Sequence, residues 1–331
     1  MDITRMDRFN ISAQQLFQDY PPDISNRNKL TVYQKACPHD SLHGGEVAYS
    51  RWAALPLPEF TDISTWQARL EIRPDIFGYE PAATHGVMEW YLNFAHVDLF
   101  CAYGGPLLAQ DELQVAEHPA LSSLREALLQ RGKPFGTVAE DSPTPVLIRN
   151  AERRCTIDTS PNMVAGLPYG LYGNEFARAT PAQIANAVKL IVPPTLSNII
   201  AIEAPSDGYG EYDAKTIEFI LCTAITGFSA ARSESRSCGA SEITIHTGFW
   251  GCGAYGGNRV LMTVLQIIAA NISGIDRLIF HTVNKDGLIP VKQAVEYVRT
   301  GIRYDNGQMP FSVIIDQIEA YGFEWGEGDG T

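Results

Sequence analysis

From about residue 86 onward the chain alternates short β-rich runs with stretches of helical periodicity, and no other feature limits the fold as much. The runs are VMEWYLNFA (87–95), TPVLI (144–148), RCTID (154–158), NIIAIEAP (198–205), EITIHTG (242–248) and RLIFHTV (277–283). Between the later ones, apolar residues return every three or four positions. In DAKTIEFILCTAITGF, Asp213 is placed to cap a helix whose Ile217, Ile220, Leu221, Ala224 and Ile225 share one face until Gly227. Asn258 can cap a second helix, striped by Leu261, Val264, Leu265 and Ile268, and a third follows Pro290. SVIIDQIEAYGF predicts another, and EWGEGDGT is expected to fray. Strand, helix and strand in repetition predict an α/β fold: a largely parallel or mixed sheet with helices on both faces. Ligands of such sheets sit beyond the carboxyl ends of strands, which directs attention to the loops after Ala95 and Ile245.

Residues 1–85 look different, with prolines at 21, 22, 38, 56, 58, 74 and 81 and few periodic segments. They are expected to be an irregular extension packed on a core domain spanning 86–331. The formal charge of -13, from 38 acidic against 25 basic residues, works against binding nucleic acid or an anionic membrane surface. A phosphate-bearing ligand must then be held by local geometry. No apolar run approaches the ~18–20 residues of a bilayer span, and MDITRMDRFN lacks a signal's apolar region, so a cytoplasmic chain is expected. The six cysteines include no C-x-x-C pair and are expected to be reduced and mostly buried. Cys37, His39 and His43 imitate part of a zinc site, but no second ligand pair follows, so neither a metal nor another cofactor is predicted.

Two loops carry the candidate chemistry. TGFWGCGAYGGN (247–258) joins the strand EITIH to the helix near Asn258 and contains Gly248, Gly251, Gly253, Gly256 and Gly257. Glycine permits close approach of backbone to a ligand, and loop amides leading into a helix N-terminus form an anion site without lysine. The alternative is a tight connection packed by Trp250 and Tyr255. The segment lacks both the Gly-Lys-Ser/Thr of a Walker loop and an early G-x-G-x-x-G. The second loop follows EWYLNFAH and places Tyr103-Gly104-Gly105 ahead of Gln110-Asp111-Glu112. Adjacent carboxylates at a helix start point about 100° apart and can serve different partners. The plain alternative is an acidic first helical turn.

TGFWGCGAYGG followed by LMTVLQIIAA resembles the phosphate loop and following helix of the poly(ADP-ribose) glycohydrolases, through Thr247, Gly248, Trp250, Gly251, Cys252, Gly253 and Ala254, with Tyr255 in place of Phe. NIIAIEAP, LNFA and QDELQVAEHPAL resemble further segments in the family's order, between about 90 and 285. The family's triple glycine is missing, its strand-end Asp and Asn appear as Asn93 and His96, and its Gln-Glu-Glu has become Gln110-Asp111-Glu112. The adenine-stacking aromatic falls at Thr282.

The resemblance implies a macrodomain, a three-layer sandwich with a mixed central sheet, and hydrolysis of a glycosidic bond at the distal ribose of ADP-ribose. Glu112 matches the catalytic glutamate and Asp111 its neighbour. Asn93, Asp98, Gly104, Gly105, Gln110, Thr247, Gly248, Gly251, Cys252, Gly253, Ala254 and Tyr255 are the expected ligand contacts, with Trp250 expected to pack and His96 a candidate to line the site. The partner is ADP-ribose or an ADP-ribosylated protein. Asp98, Asp111 and Glu112 near one strand end favour a guanidinium leaving group, hence mono-ADP-ribosyl-arginine as substrate. Cleavage of ribose–ribose bonds in the polymer and a non-catalytic ADP-ribose reader remain the alternatives, and a nucleotide-sugar or NAD-processing enzyme would share only the phosphate loop.

Overall fold

The computed structural model describes residues 3–62, 67–82, 84–206, 208–303 and 308–330. In chain order the strands are β1 (Arg5–Ser12), β2 (Glu46–Trp52), β3 (Phe60–Thr61), β4 (Arg69–Arg73), β5 (Val87–Ala95), β6 (Val138–Ala139), β7 (Ser142–Pro143), β8 (Val146–Ile157), β9 (Val188–Glu203), β10 (Glu242–Thr247), β11 (Arg277–His281) and β12 (Met309–Pro310). The helices are α1 (Ala13–Asp19), α2 (Arg27–Ala36), α3 (Gln110–Glu117), α4 (Ala120–Gln130), α5 (Glu175–Arg178), α6 (Pro181–Ala187), α7 (Ala214–Ser237), α8 (Arg259–Ser273), α9 (Leu288–Glu296) and α10 (Phe311–Glu319).

Eight strands make one sheet in the order β1-β2-β8-β9-β5-β10-β11-β4. Pairing is antiparallel from β1 through β9 and parallel from β9 through β4, so the sheet is mixed. Alternate side chains of each strand leave opposite faces. Leu92, Ile200, Ile202, Ile243 and Ile245 meet the helix layer of α7, α8 and α10. Tyr91, Ile148, Ile199 and Ala201 meet the layer of α1, α3 and α4. The result is a three-layer α/β sandwich with a core on each side of the sheet.

Several expectations need correction. The described residues before 86 are far less irregular than their prolines suggest, since β1, β2 and β4 are strands of the sheet itself. β2 is buried from Val47 to Trp52, and the prolines fall in the connections. TPVLI and RCTID are two ends of one strand, β8. The polar Arg149-Asn150 between them is a bulge, with Asn150 at φ +60°. β9 likewise begins ten residues before NIIAIEAP.

The helix capped by Asp213 runs past Gly227 to Ser237. A Cβ at Gly227 would meet Ile202 Cγ2 at 3.1 Å, so glycine here lets the helix press onto β9. The gain from close packing offsets the ~1 kcal/mol that glycine costs in a helix interior. This helix also has the length and apolarity to cross a bilayer, contrary to the expectation above. Ile217, Ile220, Leu221, Ala224, Ile225 and Phe228 are nevertheless buried against the sheet and α8. Of the cysteines, Cys155 and Cys252 are buried, Cys37 and Cys222 partly so, and Cys101 and Cys238 are exposed.

Candidate active site

The carboxyl ends of β9, β5 and β10 are neighbours because these strands run parallel, and the two candidate loops leave from two of them. They enclose a cleft of about 280 Å³, lined by Phe94 to His96, Cys101, Ala102, Leu107, Ala109 to Glu112, Tyr172, Ala204, Trp250, Gly251 and Gly253 to Tyr255. Its two opposed walls are the start of α3 and the glycine loop.

Helix α3 is tied to the end of β5 by side chains of its first turn. Gln110 Oε1 accepts from Phe94 N at 2.8 Å, while its Nε2 donates to Leu92 O at 3.0 Å. Asp111 Oδ1 accepts from the buried Asn93 Nδ2 at 2.9 Å. Glu112 reaches back so that Oε2 accepts from Ala109 N at 3.0 Å, which closes the turn. Both carboxyls are nearly inaccessible, Asp111 at 7% and Glu112 at 6%. Burial, reinforced by repulsion from Glu112, pushes the Asp111 carboxyl up to about 7, against the hydrogen bond from Asn93. At neutral pH this carboxyl is therefore poised between its two protonation states.

A cation lies behind the acidic turn. Lys29 of α2 is buried, with Nζ donating to Tyr103 O at 3.3 Å and facing the Phe176 ring at 5.7 Å. Burial drives its ammonium down to about 8, opposed by the charges of Glu112 and then Asp111. No motif marks Lys29 in the sequence, because it lies 83 residues before Glu112 and α2 meets α3 only in the folded chain. Tyr172 is also unsignalled: its loop is carried to the cleft by the pairing of Leu108 with Gly173.

The glycine loop starts from a fixed base. Thr247 is fully buried and hydrogen-bonds Gln266 of α8, whose Nε2 donates to Gly248 O at 3.1 Å. Trp250 packs as expected, with Nε1 donating to Ile202 O at 3.1 Å, and Cys252 Sγ is buried beneath it, 3.5 Å from Trp250 O. Gly251 is at φ +74°, and a Cβ there would lie 2.5 Å from Ala204 Cβ, so the chain turns where only glycine fits. Amides of Trp250, Cys252, Gly256 and Gly257 are used within the loop. Those of Gly251, Gly253, Ala254 and Tyr255 have no intramolecular acceptor among the described residues, and all four residues line the cleft. Asn258 then caps α8, accepting from Val260 N and Leu261 N at 3.0 Å each, so the positive end of that helix dipole lies behind the loop.

The expected contact residues thus divide. Gln110, Asp111, Glu112, Gly251, Gly253, Ala254 and Tyr255 line one cleft, and His96 joins them. Asn93, Thr247, Gly248 and Cys252 lie beneath, where they hold the lining residues. Gly104 and Gly105 face elsewhere. Gly104 O accepts from Asn26 N, and a Cβ at 104 would meet Asp23 O at 2.5 Å, so this glycine admits the N-terminal segment. Asp98 is already paired: Arg125 of α4 grips it through both oxygens, at 2.7 and 3.1 Å. The guanidinium that Asp98 neutralises belongs to the protein, which removes the ground for a substrate arginine there. Thr282 is buried, with its hydroxyl donating to Asn284 O, and it lies outside the cleft lining.

Residues 169–289 match the family model of poly(ADP-ribose) glycohydrolase (PARG), macro domain fold. Among solved structures, poly(ADP-ribose) glycohydrolase of Thermomonospora curvata bound to the inhibitor ADP-HPD is 14% identical over 69% of this chain and 78% of that one, with a TM-score of 0.43. The Deinococcus radiodurans enzyme in complex with ADP-ribose is 11% identical over 89% and 96%, with a TM-score of 0.41. No curated protein matches in sequence. The matched segment contains β9, α7, the whole glycine loop, α8 and β11, and over these elements the chain is similar to the macro domain of that family.

Proposed function

We propose that this protein is a glycohydrolase of the PARG type that hydrolyses the bond to the terminal ribose of ADP-ribose polymers. The observation that carries it is the arrangement of one cleft: unpartnered amides on one wall and a buried carboxyl pair on the other. The N–H groups of Gly251, Gly253, Ala254 and Tyr255 would hold the diphosphate, which explains how a chain of charge -13 binds an anion without a basic patch. Glu112 would give its proton to the leaving oxygen as the ribose C1″–O bond breaks. The same residue then takes a proton from water as it adds to the anomeric carbon, so each turnover consumes one water and frees one hydroxyl on each product. Asp111 would bind ribose hydroxyls, and Tyr255 would contact the nucleotide.

The polymer is preferred to ADP-ribosyl-arginine for two reasons. The family model matched is that of poly(ADP-ribose) glycohydrolase, and Asp98, one of the three carboxylates that favoured arginine, is held by Arg125. The test is to incubate the protein with poly(ADP-ribose), arginine-linked and glutamate-linked mono-ADP-ribosylated protein and to quantify released ADP-ribose. Release from polymer, lost in Glu112→Gln, is expected. Release from arginine-linked substrate alone would overturn the linkage, and binding of ADP-ribose without release from any of the three would leave a reader.

A further inference from the structure

Residues 324–330 were expected to fray, and instead they lie along the outside of the glycine loop. Trp325 N donates to Gly210 O at 2.8 Å and Tyr212 N to Phe323 O at 2.9 Å, an antiparallel pairing around Glu211 and Glu324. The Trp325 ring stacks on Tyr212 with centroids 4.1 Å apart and planes 11° from parallel. Tyr212 in turn accepts from Asn258 N at 3.0 Å through its hydroxyl. Asn258 caps α8 with one side-chain atom and donates with the other to Glu324 O at 2.8 Å.

Beyond this anchor the segment takes up the loop's carbonyls. Gly326 N donates to Gly256 O at 2.8 Å and Asp329 N to Gly253 O at 3.3 Å. The approach is so close that a Cβ at Gly328 would lie 2.5 Å from Ala254 O, and one at Gly256 would lie 2.9 Å from Gly326 O. Gly330 O accepts from Asn174 Nδ2 at 2.6 Å, two residues from Tyr172 on another wall of the cleft. The segment therefore joins two walls of the site from behind.

A peptide plane whose carbonyl is held on one side has its neighbouring N–H groups turned in fixed directions, because two soft dihedrals per residue are all that remain to move. We propose that residues 324–330 are a positioning strap for the site: by holding the carbonyls of Gly253 and Gly256 and by fixing Asn258, they keep the free amides of the glycine loop aimed into the cleft. This rests on the PARG-type reading, in which those amides hold the diphosphate. The strap's hydrogen bonds named above go to the glycine loop, the α8 cap and Asn174 rather than to Asp111 or Glu112, so its expected effect is on binding of the nucleotide more than on the bond-breaking step.

The test uses Trp325→Ala, which removes the anchor, and Gly328→Val, which forces the strap away from Ala254 O. For each, the Kd for ADP-ribose is measured by calorimetry, kcat and KM on poly(ADP-ribose), and the thermal midpoint. Both variants are expected to raise Kd and KM about tenfold, the loss that follows when a preorganised site is loosened, with kcat within about twofold of wild type and the midpoint unmoved. Trp325→Phe, which preserves the stack on Tyr212, is expected to restore Kd. Wild-type Kd and KM in both disruptive variants would overturn the strap, as would a fall in kcat that tracks a fall in the midpoint. Failure of the wild-type protein to bind ADP-ribose would instead sink the reading of the cleft on which the strap depends.

Discussion

Replacing Asp111 by Asn tests whether the acidic turn is electrostatically loaded. The substitution keeps the shape and keeps an oxygen to accept from Asn93 Nδ2, but it removes a charge that burial and Glu112 disfavour. Asp111 titrates near 7 in the folded protein against ~3.8 in the unfolded chain, so between these values the native state binds the extra proton. Its folded pKa is raised, so the wild type loses stability as pH climbs through this window and stops losing it above the folded value. Integrating the two titrations from pH 5 to pH 8 gives a loss on the order of 2 kcal/mol, carried by Asp111 together with the neighbouring Glu112 whose charge raises it. The assay is urea unfolding of wild type and Asp111→Asn at half-unit intervals from pH 5 to 8, with equal slopes on denaturant as a control. The Asn variant should gain on the wild type steadily as pH rises. A difference that stays constant over the whole range would refute the raised pKa and, with it, the poised protonation state near neutrality.

Other outcomes follow from the same geometry. Glu112→Gln should lower kcat on poly(ADP-ribose) by about 10²–10⁴-fold while calorimetry finds ADP-ribose binding retained, as expected for removal of an acid/base. Gly251→Val should weaken ADP-ribose binding at least about tenfold by fluorescence titration, because the φ of +74° and the Ala204 contact displace the loop. Arg125→Ala should free the Asp98 carboxylate; if pairing with Arg125 is what excludes guanidinium leaving groups, hydrolysis of arginine-linked ADP-ribose will rise, and unchanged rates would show that Asp98 has no part in linkage choice. Phe228→Ala should cost about 3–5 kcal/mol in urea unfolding, since this ring is fully buried between α7 and the sheet.

Local pattern was enough for much of this molecule. The run at 87–95 is β5 residue for residue, Asp213 and Asn258 cap the helices they were expected to cap, and Gln110 to Glu112 begin α3. Periodicity, caps and glycine content are properties of neighbours in the chain, and these elements obey them. They also sufficed to pick out both loops that line the cleft. What failed did so where a distant contact outweighed the local signal. Gly227 reads as a helix stop until β9 is laid against it. TPVLI and RCTID read as two separate runs until the partner strands absorb Arg149-Asn150 as a bulge within one strand. The proline-scattered first 85 residues read as a wrapping until the sheet recruits β1, β2 and β4 from them.

The site divides along the same line. The sequence by itself determined which residues could hold a phosphate and which could move a proton, because glycine spacing and paired carboxyls are chemical facts before folding. Only the tertiary structure decided which of them face the cleft. It set Asn93 under Asp111, gave Asp98 to Arg125, buried Lys29 behind Glu112 and brought Trp325 onto Tyr212. Each of these contacts spans 18 to 113 residues of chain, and a side chain's protonation and partners depend on what surrounds it in space.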